Sequence, residues 1–273
     1  MNKSVNRPMQ RSCTDPGYYA DQSRSAKSQC SGRAVHALFA LALLLILPGV
    51  LWAEDGRSYL DVSGGYKTGT FGTPYRSNLG YISTGLGYVA PGYDVSITIP
   101  YLFLSGEGQS GSSSTSGMGD IILRGGKVLV EETSGGFSFD GALALKLPTA
   151  DDTKGLGTGR TDIGAFLNAH QKVADVKLSL FGGYIKTGSP SDITYNDVYL
   201  YGVGISKIFG FTELYASFEG RRALVPGAQN PEEIHVGAFH ALNKDYAIKG
   251  STFVGLNNGG PNFGLDVGVV RWF

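Results

Sequence analysis

The chain has 273 residues, with 41 Gly, 15 Tyr and 14 Phe but only 17% charged residues; it is too aromatic and too charge-poor to be disordered, and its glycines lack collagen's strict triplet period. The formal net charge of zero hides a split: residues 1–53 carry six basic and two acidic side chains, and residues 54–273 carry seventeen and twenty-one. The larger part is therefore acidic and has no basic stripe, which argues against a nucleic-acid partner.

The first 53 residues read as an export signal. From Ala37 to Leu47 every residue is apolar, with Arg33 before the run and Pro48-Gly49, Leu51-Trp52-Ala53 and acidic Glu54-Asp55 after it. That is the layout of a secretory signal peptide cleaved after Ala53. The run is far short of the roughly 20 apolar residues that span a bilayer, and Pro48-Gly49 sits where a spanning helix would continue. Cys13 and Cys30 both precede the cleavage point. The mature chain, starting at Glu54, then has no thiol, which excludes disulfides, Cys nucleophiles and Cys-ligated zinc.

Beyond Glu54 no convincing helical period occurs, whereas period-two alternation recurs almost to the end. In Tyr93–Phe103 one face reads Tyr93, Val95, Ile97, Ile99, Tyr101 and Phe103, and the other begins Asp94, Ser96, Thr98 and Pro100. Phe137–Lys146 repeats the arrangement, with Phe137, Phe139, Leu143 and Leu145 opposite Ser138, Asp140, Ala144 and Lys146. The alternation predicts strands at 57–67, 79–89, 93–104, 119–130, 136–147, 162–173, 176–186, 197–207, 211–221, 233–242, 246–256 and 263–273. The longer connections, including 105–118 and 148–161, alternate with short ones such as 90–92 and 174–175. Segregated long and short connections between strands of about 10 residues point to a closed antiparallel up-and-down β-barrel of about 12 strands in a bacterial outer membrane.

The last strand supports this reading. Phe263, Leu265, Val267, Val269 and Phe273 share one alternating face, and the final residue is aromatic, as in outer-membrane proteins whose terminal strand the barrel assembly machinery reads. Arg271 interrupts that face and would have to snorkel to the periplasmic headgroups. The barrel must close, because hydrocarbon offers no partner to an open strand edge. Glycines at outward positions such as Gly141 and Gly182 suit a strongly curved sheet.

With the apolar faces turned to lipid, strand phase directs Asp61, Lys67, Arg124, Asp140, Lys146, Asp162, His170, Lys177, Glu213, Glu219, Arg221, Glu233, His235, Lys249 and Asp266 to the interior. Two readings follow: a hydrated pathway in which opposed charges set up a transverse field and select solutes, or pairs that meet across the barrel and fill it. A bulge at Gly125-Gly126 would swap Lys127 from lipid to lumen, which makes Arg124 the least secure of the set.

Catalytic and cofactor signatures fail in context. Gly106-Glu-Gly-Gln-Ser-Gly111 matches GxGxxG but leads into a Ser/Thr/Gly stretch that reads as a flexible outer loop. Lys67-Thr-Gly69 and Lys186-Thr-Gly188 lack any companion Ser-x-x-Lys, and neither HExxH nor GxSxG occurs. His170, His235 and His240 therefore carry no zinc or hydrolase motif, although a Ser–His pair on neighbouring strands, as in outer-membrane phospholipase, stays open. Asp151-Asp152 reads as a solvated pair rather than a Ca²⁺ site. No catalytic residue, metal or cofactor is expected.

Gly119-Asp-Ile-Ile-Leu-Arg-Gly125, Ala142-Leu-Ala-Leu-Lys-Leu-Pro-Thr149, Gly155-Leu-Gly-Thr-Gly159 and Thr161-Asp-Ile-Gly164 resemble, in this order, the family named after the meta-pathway of phenol degradation. Tyr201-Gly-Val-Gly204, Glu232-Glu233 and the last strand continue the resemblance, which covers most of 119–273 and is weaker over 54–118. The chain departs from that pattern at Ala150-Asp151, where Gly-Asp is commoner, and at Arg271-Trp272-Phe273, where Tyr-Arg-Phe is commoner. The resemblance implies an outer-membrane transporter associated with aromatic degradation. The expectation is thus a passive channel for small aromatic or hydrophobic solutes, with a closed structural or adhesion barrel, or an outer-membrane hydrolase, as alternatives.

Overall fold

A computed structural model describes residues 56–108, 111–191 and 193–273. The signal peptide, both cysteines and the Glu54 start lie outside the described residues. The strands are β1 (Arg57–Gly69), β2 (Ser77–Ala90), β3 (Tyr93–Gly108), β4 (Gly111–Met118), β5 (Ile121–Val130), β6 (Phe137–Leu147), β7 (Asp162–Val173), β8 (Val176–Lys186), β9 (Val198–Phe209), β10 (Thr212–Arg221), β11 (Glu232–Ala241), β12 (Tyr246–Gly255) and β13 (Pro261–Trp272). Every pairing is antiparallel, and β1 meets β13 from Tyr59↔Trp272 to Gly69↔Pro261, so the sheet closes on itself. Closure gives every wall strand a partner on both sides.

Twelve strands build the wall, and β4 stands beyond it. The first part of β3 (Tyr93–Thr98) pairs with β5, whereas Tyr101–Gly108 pairs with β4, which has no partner on its other edge among the described residues. The segment 105–118, expected as a flexible loop, is therefore a strand extension and a hairpin. Its Ser113–Ser116 run lacks apolar alternation because a ribbon outside hydrocarbon needs no apolar face, and that hid it from a pattern search. The GxGxxG match falls at the tip of this hairpin, across the ends of β3 and β4.

Outward positions are apolar and half-exposed along the strands, as with Leu180 at 61% and Val267 at 56%. Among the described residues only a few hydrophobic side chains are buried, Phe253, Ala247 and Val270 among them. Such a surface would be costly in water and is expected where lipid takes the place of solvent. At one end the strands are joined by short turns, such as Pro91-Gly92, where Gly92 adopts φ +85°.

At the other end neighbouring loops are tied side to side. Ala150 N–H donates to Asp120 Oδ1, Gly188 N–H to Asp162 Oδ1, Asn196 N–H to Leu224 O, and Phe71 N–H to Gly260 O. The terminal strand is anchored at the short-turn end, where Phe273 N–H donates to Ser58 O. The Arg271 guanidinium lies 4.6 Å from the centre of the Phe273 ring and 5.6 Å from that of Tyr246.

Candidate functional site

Strand register sets which side chains share the interior. Asp61↔Gly85↔Thr98 and Ser96↔Arg124↔Ala144 are inner rows, and the same alternation turns Lys67, Asp140, Lys146, Asp162, His170, Lys177, Glu213, Glu219, Arg221, Glu233, His235, Lys249 and Asp266 inward. The register shift on β5 falls between Val128 and Val130, beyond Gly125-Gly126. Lys127 therefore stays outward, opposite Tyr93, and Arg124 stays inward.

These charges pair along the wall. Arg124 bonds Asp94 on the adjacent strand, and Lys146 reaches Asp162 at 2.9 Å, Asp120 at 3.3 Å and the Thr158 hydroxyl at 2.8 Å. Arg221 lies 3.2 Å from Glu233, which also meets His235 at 3.2 Å, and His235 lies 3.8 Å from Glu219. Lys177 faces Glu213 at 3.9 Å, Lys249 bonds Asp61, and the Tyr81 hydroxyl donates to Asp266. Apart from Asp120 and Thr158, which lie in connections, these partners sit on the same, adjacent or next-but-one strands. Opposite charges therefore neutralise one another locally, and among these pairs none bridges the bore. The sequence named none of these pairs, because alternation fixes a side chain's face but not its neighbour.

Six of the inward aromatic residues follow a second rule; two others at inward register positions, Phe239 and Trp272, meet edge to face at 6.1 Å. A Cβ built on Gly87, Gly65, Gly183, Gly202, Gly237 or Gly264 would collide with the ring of Tyr59, Tyr81, Phe166, Phe181, Tyr215 or Phe253, respectively, and in each case the two residues are directly opposed across a strand pair. Each ring therefore lies over a glycine, flat along the wall instead of standing into the bore, an arrangement that also shields the glycine backbone. The Lys67 ammonium sits 5.3 Å from the centre of the Phe253 ring, and His235 stacks on the same ring at 4.8 Å.

The interior is polar. A cavity of about 370 Å³ is lined by hydroxyls of Tyr59, Ser63, Tyr81, Ser83, Ser96 and Thr98 beside the Asp61–Lys249 pair. Ser179 Oγ lies 2.9 Å from His170 Nδ1, and His170 Nε2 lies 3.0 Å from Asp140 Oδ2, so the Ser–His arrangement left open by the sequence exists with a carboxylate behind it. However, β8 is paired on both sides around Ser179, to β7 and β9, which commits the backbone N–H groups that an oxyanion would need.

Among the described residues no group of three or more His, Cys, Asp or Glu could hold a metal. Asp151 instead caps the 3₁₀ turn Asp152–Lys154, and the Thr153 hydroxyl holds its carboxyl below the usual range. His240 faces outward and bonds Thr212. Sequence reasoning missed Asp94, Asp120 and the six inward rings. Asp94 does open the polar face of 93–103, but the aromatic–glycine opposition is visible only once the register is known.

A closed twelve-stranded wall with an apolar outside and a polar interior defines an outer-membrane type of β-barrel. Among solved structures, the fold is similar to the COG4313 outer membrane channel from Pseudomonas putida F1, with a TM-score of 0.67, 17% identity and coverage of 80% of this chain and 96% of that one. It is also similar to the KdgM porin in complex with oligogalacturonate, with a TM-score of 0.50, 13% identity and coverage of 79% and 99%. A third likeness is to the translocator domain of the autotransporter NalP from Neisseria meningitidis, with a TM-score of 0.50, 16% identity and coverage of 88% and 97%. At these identities the likeness is one of fold. No family model and no curated protein matches the chain, so the resemblance to the phenol meta-pathway family is not carried into a family assignment.

Proposed function

We propose that this barrel is a passive outer-membrane channel for small solutes, with aromatic and hydrophobic molecules as the expected cargo, delivered to the envelope by residues 1–53. The observation that carries the reading is the arrangement of the interior: charges pair along the wall, and the inward rings of six strand pairs lie over glycines. Twelve strands lie between eight-stranded barrels, which side chains fill, and sixteen-stranded porins, which enclose an aqueous channel. Channels and porins among the structural neighbours support the same reading. Selection falls to the lumen, with no energy coupling. A hydrolase is disfavoured by the committed N–H groups around Ser179.

Lys249→Gln tests whether the wall charges see passing ions. The substitution removes the ammonium that pairs with Asp61 beside the Tyr81–Asp266 bond. The reversal potential of reconstituted protein under a KCl gradient should move toward cation preference while the folded, heat-modifiable band is retained. An unchanged potential would count against a hydrated pathway past Asp61.

Phe273 bears on assembly. Its outward ring, clamped by Arg271, fits the terminal signal that the barrel assembly machinery reads. Deleting Phe273 should reduce the heat-modifiable band in outer membranes, and undiminished assembly would contradict that role.

A further inference from the structure

The outward wall contains a groove of about 820 Å³ across β5–β8. Its floor is made of small residues, Gly125, Gly141, Ala165 and Gly182, which register turns to the lipid side together with the flanking Leu143 and Leu167. One end is closed by Tyr93 and Lys127, which oppose each other beside the Pro91-Gly92 turn. That turn belongs to the short-connection end, which is the periplasmic end in barrels of this type.

Lys127 differs from the other outward basic residues of the strands. Lys207 pairs with Asp175 at 3.0 Å, Lys186 pairs with Asp197 at 2.9 Å, and Arg271 lies over two rings. Lys127 has no hydrogen bond or ion pair among the described residues. A lysine at the edge of hydrocarbon reaches toward the headgroups, and the anion within its reach there is a lipid phosphate.

We propose that this groove binds one diacyl phospholipid of the periplasmic leaflet, with its acyl chains against the glycine floor and its phosphate on the Lys127 ammonium. The small floor residues let a chain approach the backbone closely and so gain dispersion contacts that a leucine-studded wall would deny. The volume falls within the roughly 300–1,000 Å³ typical of small-molecule sites. The site is outside the barrel and does not depend on whether the lumen conducts.

Native mass spectrometry of the folded protein, released from micelles doped with phosphatidylglycerol, tests the proposal. Wild type should retain one phospholipid, and Lys127→Gln should lower that occupancy about fivefold, the effect of a single basic residue at an anionic surface. Gly141→Leu, which fills the floor, should do the same, and Lys207→Gln should not. If Gly141→Leu fails to assemble, Lys127→Gln decides alone. No retained lipid in wild type, equal retention in Lys127→Gln, or a two-chain mass showing that a second copy covers the groove would each overturn it.

Discussion

Gly65→Ala and Gly183→Ala are expected to narrow the bore and cut single-channel conductance by half or more, although each adds only a methyl group. In the wild type a Cβ on Gly65 would meet Asp266 Oδ1 first and the Cε1 atom of Tyr81 at 2.5 Å, and the Cδ1 atom of Phe166 would lie 2.5 Å from one on Gly183. Contacts that short cannot persist. The ring is the far end of a side chain free to change rotamer, whereas the glycine is fixed by ladders on both sides, so the ring is what moves. Its alternative rotamers point away from the wall, into the lumen. Gly183→Ala combined with Phe166→Ser should therefore recover conductance, because the obstructing ring is gone. Equal conductance in Gly65→Ala and wild type, with both assembled, would contradict the flat-ring account.

Lys146→Met should be the most destabilising of the single inward substitutions, by about 3–5 kcal/mol, because it strands charges that water reaches poorly. Asp120 and Asp162 side chains are 8% and 18% exposed, and Lys146 lies within 3.3 Å of both. Asp120 also accepts the Ala150 N–H, and Thr149 bonds Gly119 O, so the same cluster pins the 148–161 loop to the start of β5. Urea unfolding from micelles should show a lower midpoint. Adding Asp120→Asn and Asp162→Asn should restore much of the loss, since neutral amides no longer repel one another. A Lys146→Met barrel as stable as wild type would mean that these carboxylates are solvated or protonated rather than held by the lysine.

The fold was legible because a lipid-facing strand must alternate, and the phase of that alternation is written in residues such as Val95, Ile97 and Ile99 against Asp94, Ser96 and Thr98. Strand ends followed from turn residues, as at Pro91-Gly92. Outside hydrocarbon the constraint lapses, and β4, built from Ser, Thr and Gly, left no pattern to read. Within the barrel, alternation assigned Asp140, Lys146 and Asp162 to a face without naming their partners. Partnership depends on register between strands distant in sequence, so Asp61–Lys249 and Tyr81–Asp266 emerged only from the closed sheet. The six glycines beneath rings stayed hidden for the same reason. Each looks like an ordinary strand glycine until its cross-strand partner is known.

Solute flux through purified protein in liposomes tests the central claim most directly. Vesicles carrying assembled barrel should take up small neutral and aromatic solutes down their gradients, at rates proportional to the amount of barrel and with no energy source. Vesicles with the same amount of heat-modifiable barrel that remain as tight as protein-free ones would contradict an open bore and leave a closed structural barrel in its place.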